Sequence, residues 1–244
     1  MSPVLILKKN AGFYSIPLFE AYGFRAIFTD RGHDMSFEAA SRRAAYKKIG
    51  IDGTHLVCPS QVHADGLFVV RQKHRGRGAY ERRTAIAATD ALITHQKQTP
   101  VAVLTADCLP VFVADVKNKV IAMIHAGWKS AHKGLIAKTI TKMRVSFSSS
   151  SADLIVVLGP AIRSCCYEVG KEFFDYFPGC VCRRNDKIYF DIAQAASVQL
   201  KSQGVPAQNI YDSRICTSCA NQEFFSYRKE GASAGRGMSL CEII

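Results

Sequence analysis

Three residues capable of metal or acid–base chemistry stand where short apolar runs stop. His63 lies in "SQVHADGLFVV", at the turn between two strand-like runs. Cys108 lies in "VAVLTADCLPVFVAD", where a strand ends at Thr105 and Pro110 interrupts smooth continuation. His125 closes "KVIAMIH" and is followed by Gly127 and the single tryptophan, Trp128. Breaks beside buried strands are places from which a sheet aims side chains into one cleft. Two imidazoles and a thiolate form a borderline-soft donor set, suited to zinc or copper. Three protein ligands leave one coordination position open, as catalytic rather than structural zinc requires. Such a site generates hydroxide near neutral pH, because the metal lowers the pKa of water to about 7. Gly127 lets the backbone pass close by without a side chain in the way. The spacing itself matches no compact metal motif. Two other readings stay open: a core histidine held by a backbone partner, and a Cys108 thiolate nucleophile with His125 as its base.

The elements that must position these residues are legible in the pattern. "FRAIFT" reads as a strand, and "SFEAASRRAAYKKIG" as a helix with Ser36 as N-cap and Gly50 as terminator. Strand-like runs follow at "HLVC", "GLFVV", "DALIT", "VAVLT", "PVFVAD" and "KVIAMIH". A helix is expected from about Ser130 to Val145, then the strand "DLIVVLGP". A short helix near "GKEFFDYF" and one opened by Asp191 come next. "FFSYR" and "MSLCEII" complete the set as strands. Consecutive strands between residues 55 and 125 exclude a regular doubly wound fold and favour α/β mixed sheets with helices packed outside.

Composition sets the bounds. The chain has 244 residues, 48% of them apolar and evenly spread, enough for a substantial core. No run approaches the roughly 18 apolar residues of a membrane span, and "MSPVLILKKN" lacks the marks of a signal peptide. The expected location is therefore cytoplasmic, with no membrane partner. Nine cysteines then read as reduced thiols, with a structural zinc between "CTSC" (Cys216, Cys219) and "CVC" (Cys180, Cys182) as the lesser alternative. The net charge of +12 favours anionic substrates or partners. Six of the basic residues crowd "RQKHRGRGAYERR" (residues 71–83), which reads as a solvated hairpin tip rather than a nucleic-acid module.

The segments "QVH", "TADCLPV", "HAGWK", "LGPAI" followed by "CCYEVG", and "FFSYR" followed by "GR" occur in one order over most of residues 55–241. In this they resemble the YfiH-like, or laccase-domain, family: multicopper polyphenol oxidases by one label, FAMIN-related purine nucleoside phosphorylases by another. The resemblance implies one catalytic domain over 1–244, folded as a mixed-sheet, layered α/β/β/α sandwich. It implies that His63, Cys108 and His125 bind one zinc ion. It also implies a purine nucleoside phosphorylase acting on adenosine, inosine, guanosine and methylthioadenosine, with adenosine deaminase activity. Phosphate and purine nucleosides are the implied small-molecule partners. Lys129-Ser130 stands where the family has Arg-Gly, "TDRGHDMSF" is shorter than the family's N-terminal loop, and Ser41-Arg42 replaces Asn-Arg.

For deamination, Asp107, beside Cys108, is the candidate proton carrier; the alternative is a carboxylate that orients a ligand. For phosphorolysis, Arg228 of "FFSYR" and Arg236 of "GR" are candidate phosphate binders, with Arg31 and Arg42 behind them. Gly159 and Pro160 shape a cleft, Tyr167 and Glu168 pack or form a lid, and Trp128 packs in the core or stacks on a purine. His33, His55, His74, His95 and His132 receive no role. The competing functions are a Cys-His hydrolase, including a cell-wall precursor editing role, a copper-dependent polyphenol oxidase, and a basic nucleic-acid-binding module. No His-X-His pairs support several coppers.

Overall fold

In the computed structural model, which describes residues 3–244, two large sheets carry most of the chain. The first has six strands in the order Ile210–Asp212, Leu154–Leu158, Leu109–Asp115, Val120–Ala126, Ala91–Thr94 and Leu67–Val69. Its outermost pair on each side is parallel and the inner pairs are antiparallel. The second has five antiparallel strands, in the order Lys8–Asn10, Phe13–Ser15, Phe24–Thr29, Gly237–Ile243 and Val101–Thr105. A small three-stranded sheet, Glu168–Val169, Lys187–Phe190 and Val181–Arg184, stands apart.

The period-two alternation of strand side chains sorts this into four layers. Val111, Val113, Ala122 and Ile124 face outward onto the helices Leu135–Phe147 and Ile192–Ser202. Their neighbours Phe112, Ala114, Ile121 and Met123 face inward against Ala26, Phe28, Val101 and Val103 of the five-stranded sheet. On that sheet's far side Ile27, Ala102, Leu104 and Leu240 pack on the helix Arg42–Ile49. The strands Leu109–Asp115 and Val120–Ala126 are buried at every position, so both faces are apolar and the run reads as continuous. The result is an α/β/β/α sandwich, as the sequence implied.

The local departures have local causes. The helix expected from Ser36 begins at Arg42, because the Ser36 N–H and hydroxyl both donate to the Asp34 carboxylate in an Asx turn. Its end is as expected, with Gly50 left-handed at φ 65°. The helix expected over 130–145 is two helices, Trp128–His132 and Leu135–Phe147, broken at Gly134, whose φ is 75°. "HLVC" holds only an isolated bridge from Val57 to Val101. "FFSYR" is not a strand: Ser226 precedes the turn Tyr227–Glu230, and the Glu230 carboxylate accepts the Ser226 N–H. The basic segment 71–83 is not a hairpin either. It folds through two single 3₁₀ turns, Arg75 and Arg77 bind backbone carbonyls, and Ala79 is buried.

Candidate active site

The chain crosses from one sheet to the other between Thr105 and Leu109, and Cys108 is the last residue of that crossing. The crossing needs a left-handed turn, supplied by Asp107 at φ 86°. The Asp107 carboxylate is fully engaged there, accepting from the Thr217 hydroxyl (2.6 Å) and the Arg228 backbone N–H (2.7 Å). Its carbonyl accepts the Ile162 N–H at 2.9 Å. His125 lies opposite Pro110 in the neighbouring strand, which brings its ring alongside the crossing.

One residue that sequence reasoning missed holds both histidines. Asp90 is fully buried at the head of the strand Ala91–Thr94. Its carboxylate accepts the backbone N–H groups of Val62, His63 and Ala64 at 3.0–3.1 Å and faces His125 Nδ1 at 2.9 Å. Burial works against its charge, yet the His125 ring and the amides hold it below the ordinary carboxylate pKa. A carboxylate partner requires Nδ1 to donate, which fixes the His125 tautomer and leaves Nε2 as the free donor atom. The amide cradle also holds His63 in its left-handed conformation, φ 56°.

His63, Cys108 and His125 each present a donor atom within 4.8 Å of the others. The imidazole centroids are 4.8 Å apart. Burial pushes the Cys108 thiol up, but the two imidazoles beside it pull it down to about 6. Burial pushes His125 down, but the Cys108 sulfur and Asp90 raise it to about 9. The pair therefore favours thiolate, the form that binds metal. A Cβ on Gly127 would stand 2.8 Å from His63 Nδ1 and 3.2 Å from Cys108 Sγ. Only glycine leaves the donors room. Donor types, mutual reach, fixed tautomer and the glycine opening all fit a first-row divalent ion such as zinc, with a position left over.

The three donors open into a cavity of about 810 Å³, within the range of small-molecule sites. Asp107, Arg228 and Arg236 also line it, as do Trp128 and Tyr167. Trp128 serves both roles considered for it, since its ring packs 5.3 Å from Phe173 while reaching the cavity. Arg82 and Lys129 add cationic charge that the motifs did not single out. Two predicted residues are elsewhere. Arg42 is a buried structural cation whose guanidinium donates to the Met35 and Gly78 carbonyls and the Tyr46 hydroxyl, so it has nothing left for phosphate. Arg31 binds the Asn221 carbonyl and Glu230, bracing the Tyr227–Glu230 turn from outside the cavity.

The family model described as multi-copper polyphenol oxidoreductase laccase matches residues 26–243. The chain belongs to this family. A purine nucleoside phosphorylase of Clostridium acetobutylicum is 39% identical over 66% of this chain and 70% of its own. A protein named adenosine deaminase RL5, from an unknown prokaryote, is 31% identical over 78% of this chain and 75% of its own. The crystal structure of YlmD from Geobacillus stearothermophilus superposes with a TM-score of 0.92 at 25% identity, covering 98% of this chain and 99% of that one. The family model carries an oxidase description and the relatives carry phosphorylase and deaminase names, while the donors that line the cavity form one compact set of three. Among the described residues no helix is long and apolar enough to cross a membrane.

Proposed function

We propose that this chain is a zinc-dependent purine nucleoside phosphorylase that also deaminates adenosine. The observation that carries the reading is a cluster of three donors, His63, Cys108 and His125, lining a cationic cavity of nucleoside size. The names of the relatives point the same way. His63, Cys108 and His125 would hold the zinc ion, which would supply Lewis acidity to a substrate oxygen or nitrogen.

The chain's own residues do the rest. Lys129, Arg228, Arg236 and Arg82 concentrate positive charge along the walls, which draws in and neutralises phosphate. The Arg228 guanidinium is anchored by the Cys166 and Glu168 carbonyls and lies over the Tyr167 ring. Asp107 holds the Arg228 backbone, so its part is to position that arginine; both its oxygens already accept short bonds. Trp128 and Tyr167 offer flat apolar faces to a purine.

The test is to incubate zinc-loaded protein with mixed purine nucleosides, with and without phosphate, and identify products by mass spectrometry. Phosphate-dependent release of base and ribose 1-phosphate, lost in Cys108→Ala, is expected. Unchanged turnover in that variant would remove the site. A second reading rests on the thiolate itself: without metal, Cys108 and His125 make a nucleophile–base pair. Metal-free protein that is active, and loses that activity when Cys108 is alkylated, would favour it.

A further inference from the structure

We infer that Cys165, Cys166, Cys216 and Cys219 form a second, closed metal site that binds zinc and clamps one wall of the cavity. The sequence suggested a partnership of "CTSC" with "CVC"; the fold instead carries Cys180 and Cys182 away to the small sheet and its approach. "CTSC" meets the adjacent pair Cys165-Cys166, and the four sulfurs all lie within 4.8 Å of one another. Cys219 Sγ is 3.5 Å from Cys165 Sγ and 3.4 Å from Cys166 Sγ. Those separations are too long for a disulfide, about 2.05 Å. They suit the edge of a tetrahedron of thiolates around zinc, about 3.8 Å for Zn–S bonds near 2.3 Å. All four cysteines are free.

The surroundings fit a cluster with excess negative charge, since four thiolates and one zinc ion sum to −2. The Cys219 and Arg163 amides donate to the Cys216 sulfur. The Arg184 guanidinium binds the Ser164 and Cys165 carbonyls, and that of Arg228 binds the Cys166 carbonyl. Cations therefore stand around the sulfurs at no cost to their lone pairs.

The two loops already touch: Ala161 pairs with Cys216, Thr217 donates its N–H to the Ala161 carbonyl at 3.1 Å, and the Arg163 guanidinium pairs with the Asp212 carboxylate at 2.6 and 3.1 Å. One loop carries Tyr167 into the cavity. The other carries Thr217, which binds Asp107, and leads on to Arg228. Four thiolates on one ion cross-link these loops behind the cavity wall. The site differs from the centre at His63 in having four protein ligands and no vacant corner, so its work is to hold.

The experiment counts zinc by mass spectrometry in the purified full chain, after zinc loading and removal of loosely bound metal. Two zinc ions per chain are expected in the wild type, one in Cys108→Ala and one in Cys216→Ser/Cys219→Ser. Cobalt substitution should give sulfur-to-metal charge-transfer absorption that persists in Cys108→Ala. In case the double variant does not fold, the wild type answers alone: Cys165, Cys166, Cys216 and Cys219 should resist alkylation, mapped by peptide, until a chelator is added. Equal zinc counts in wild type and folded double variant would overturn the site. So would free alkylation of all four thiols in zinc-loaded protein, or a Cys166–Cys219 disulfide without metal. Failure of the His63 centre is a separate result: one zinc in wild type and none in the double variant.

Discussion

Two clusters of soft donors lie on opposite sides of one cavity wall, and they are built for opposite tasks. At the His63/Cys108/His125 centre there are three donors, a buried carboxylate behind two of them, and an open cavity in front. At the cysteine quartet there are four donors of one type, with arginines on the neighbouring carbonyls, outside the lining of that cavity. The first is assembled by the sheets, from a crossing, a strand end and a turn anchored at Asp90. The second is assembled where two loops meet, beside the Ala161 backbone pairing and the Arg163–Asp212 ion pair. The sheets carry the three-donor set that faces the cavity, and the loops carry the four-donor set.

This contrast breaks most sharply at Cys108. Cys108→Ala should abolish every product while leaving the cysteine quartet's metal in place, as product analysis and metal counting together would show. Asp90→Asn comes next. It leaves the shape but removes the charge that fixes His125 and the His63 turn, so metal affinity at that centre should fall about 10- to 100-fold. A competition titration with a chromophoric chelator measures it, and the quartet should be unaffected. Gly127→Ala pushes a methyl against both His63 and Cys108. A loss of similar direction, but with the fold intact by circular dichroism, is expected.

A pH experiment separates the two clusters in metal-free protein. The folded pKa of Cys108 is lowered to about 6 from an ordinary value near 9, so its contribution to stability is full above the ordinary value and disappears as pH falls through about 6. The folded pKa of His125 is raised to about 9 from 6.5, so its contribution is full below 6.5 and disappears as pH rises through about 9. Their ion pair should therefore contribute most between pH 6 and 9. Peptide-resolved alkylation of Cys108 should show its rate rising through pH 6, whereas Cys165, its thiol pushed up by burial and neighbouring thiols, should gain rate only at higher pH. A Cys108 profile centred near 9 would remove the pair. The smallest effect belongs to the loops: Cys216→Ser/Cys219→Ser should raise KM for phosphate by up to about 10-fold with little change in kcat, through Arg228.

Much of the sheet architecture was legible because strand periodicity is local. Phe112 and Val113, or Ile121 and Ala122, announce opposite faces within two residues, and the strands around Cys108 and His125 follow directly. His63, Cys108 and His125 stand at breaks beside apolar runs, but their spacing matches no compact metal motif, and it is the family resemblance that joins them into one set. What could not be read was pairing at a distance. Asp90 looks like any acid before a strand until the turn at His63 and the ring of His125 arrive beside it. Cys165 and Cys166 gave no hint of meeting Cys216 and Cys219. Arg42 carried the right chemistry for phosphate, and only its burial against Met35 and Gly78 shows that the charge is spent on the protein itself. Ser36 and "FFSYR" misled because single carboxylates, Asp34 and Glu230, capture backbone amides and redirect the chain.

Cys108 directly precedes Leu109–Asp115, His125 lies on Val120–Ala126, and the His63 turn hangs on Asp90, so the six-stranded sheet alone carries all three donors. The trio therefore rides with that sheet as one piece, and a shift of the five-stranded sheet beneath it is relayed to the cleft through the Thr105–Leu109 passage and the Gln61 bonds to the Leu104 backbone.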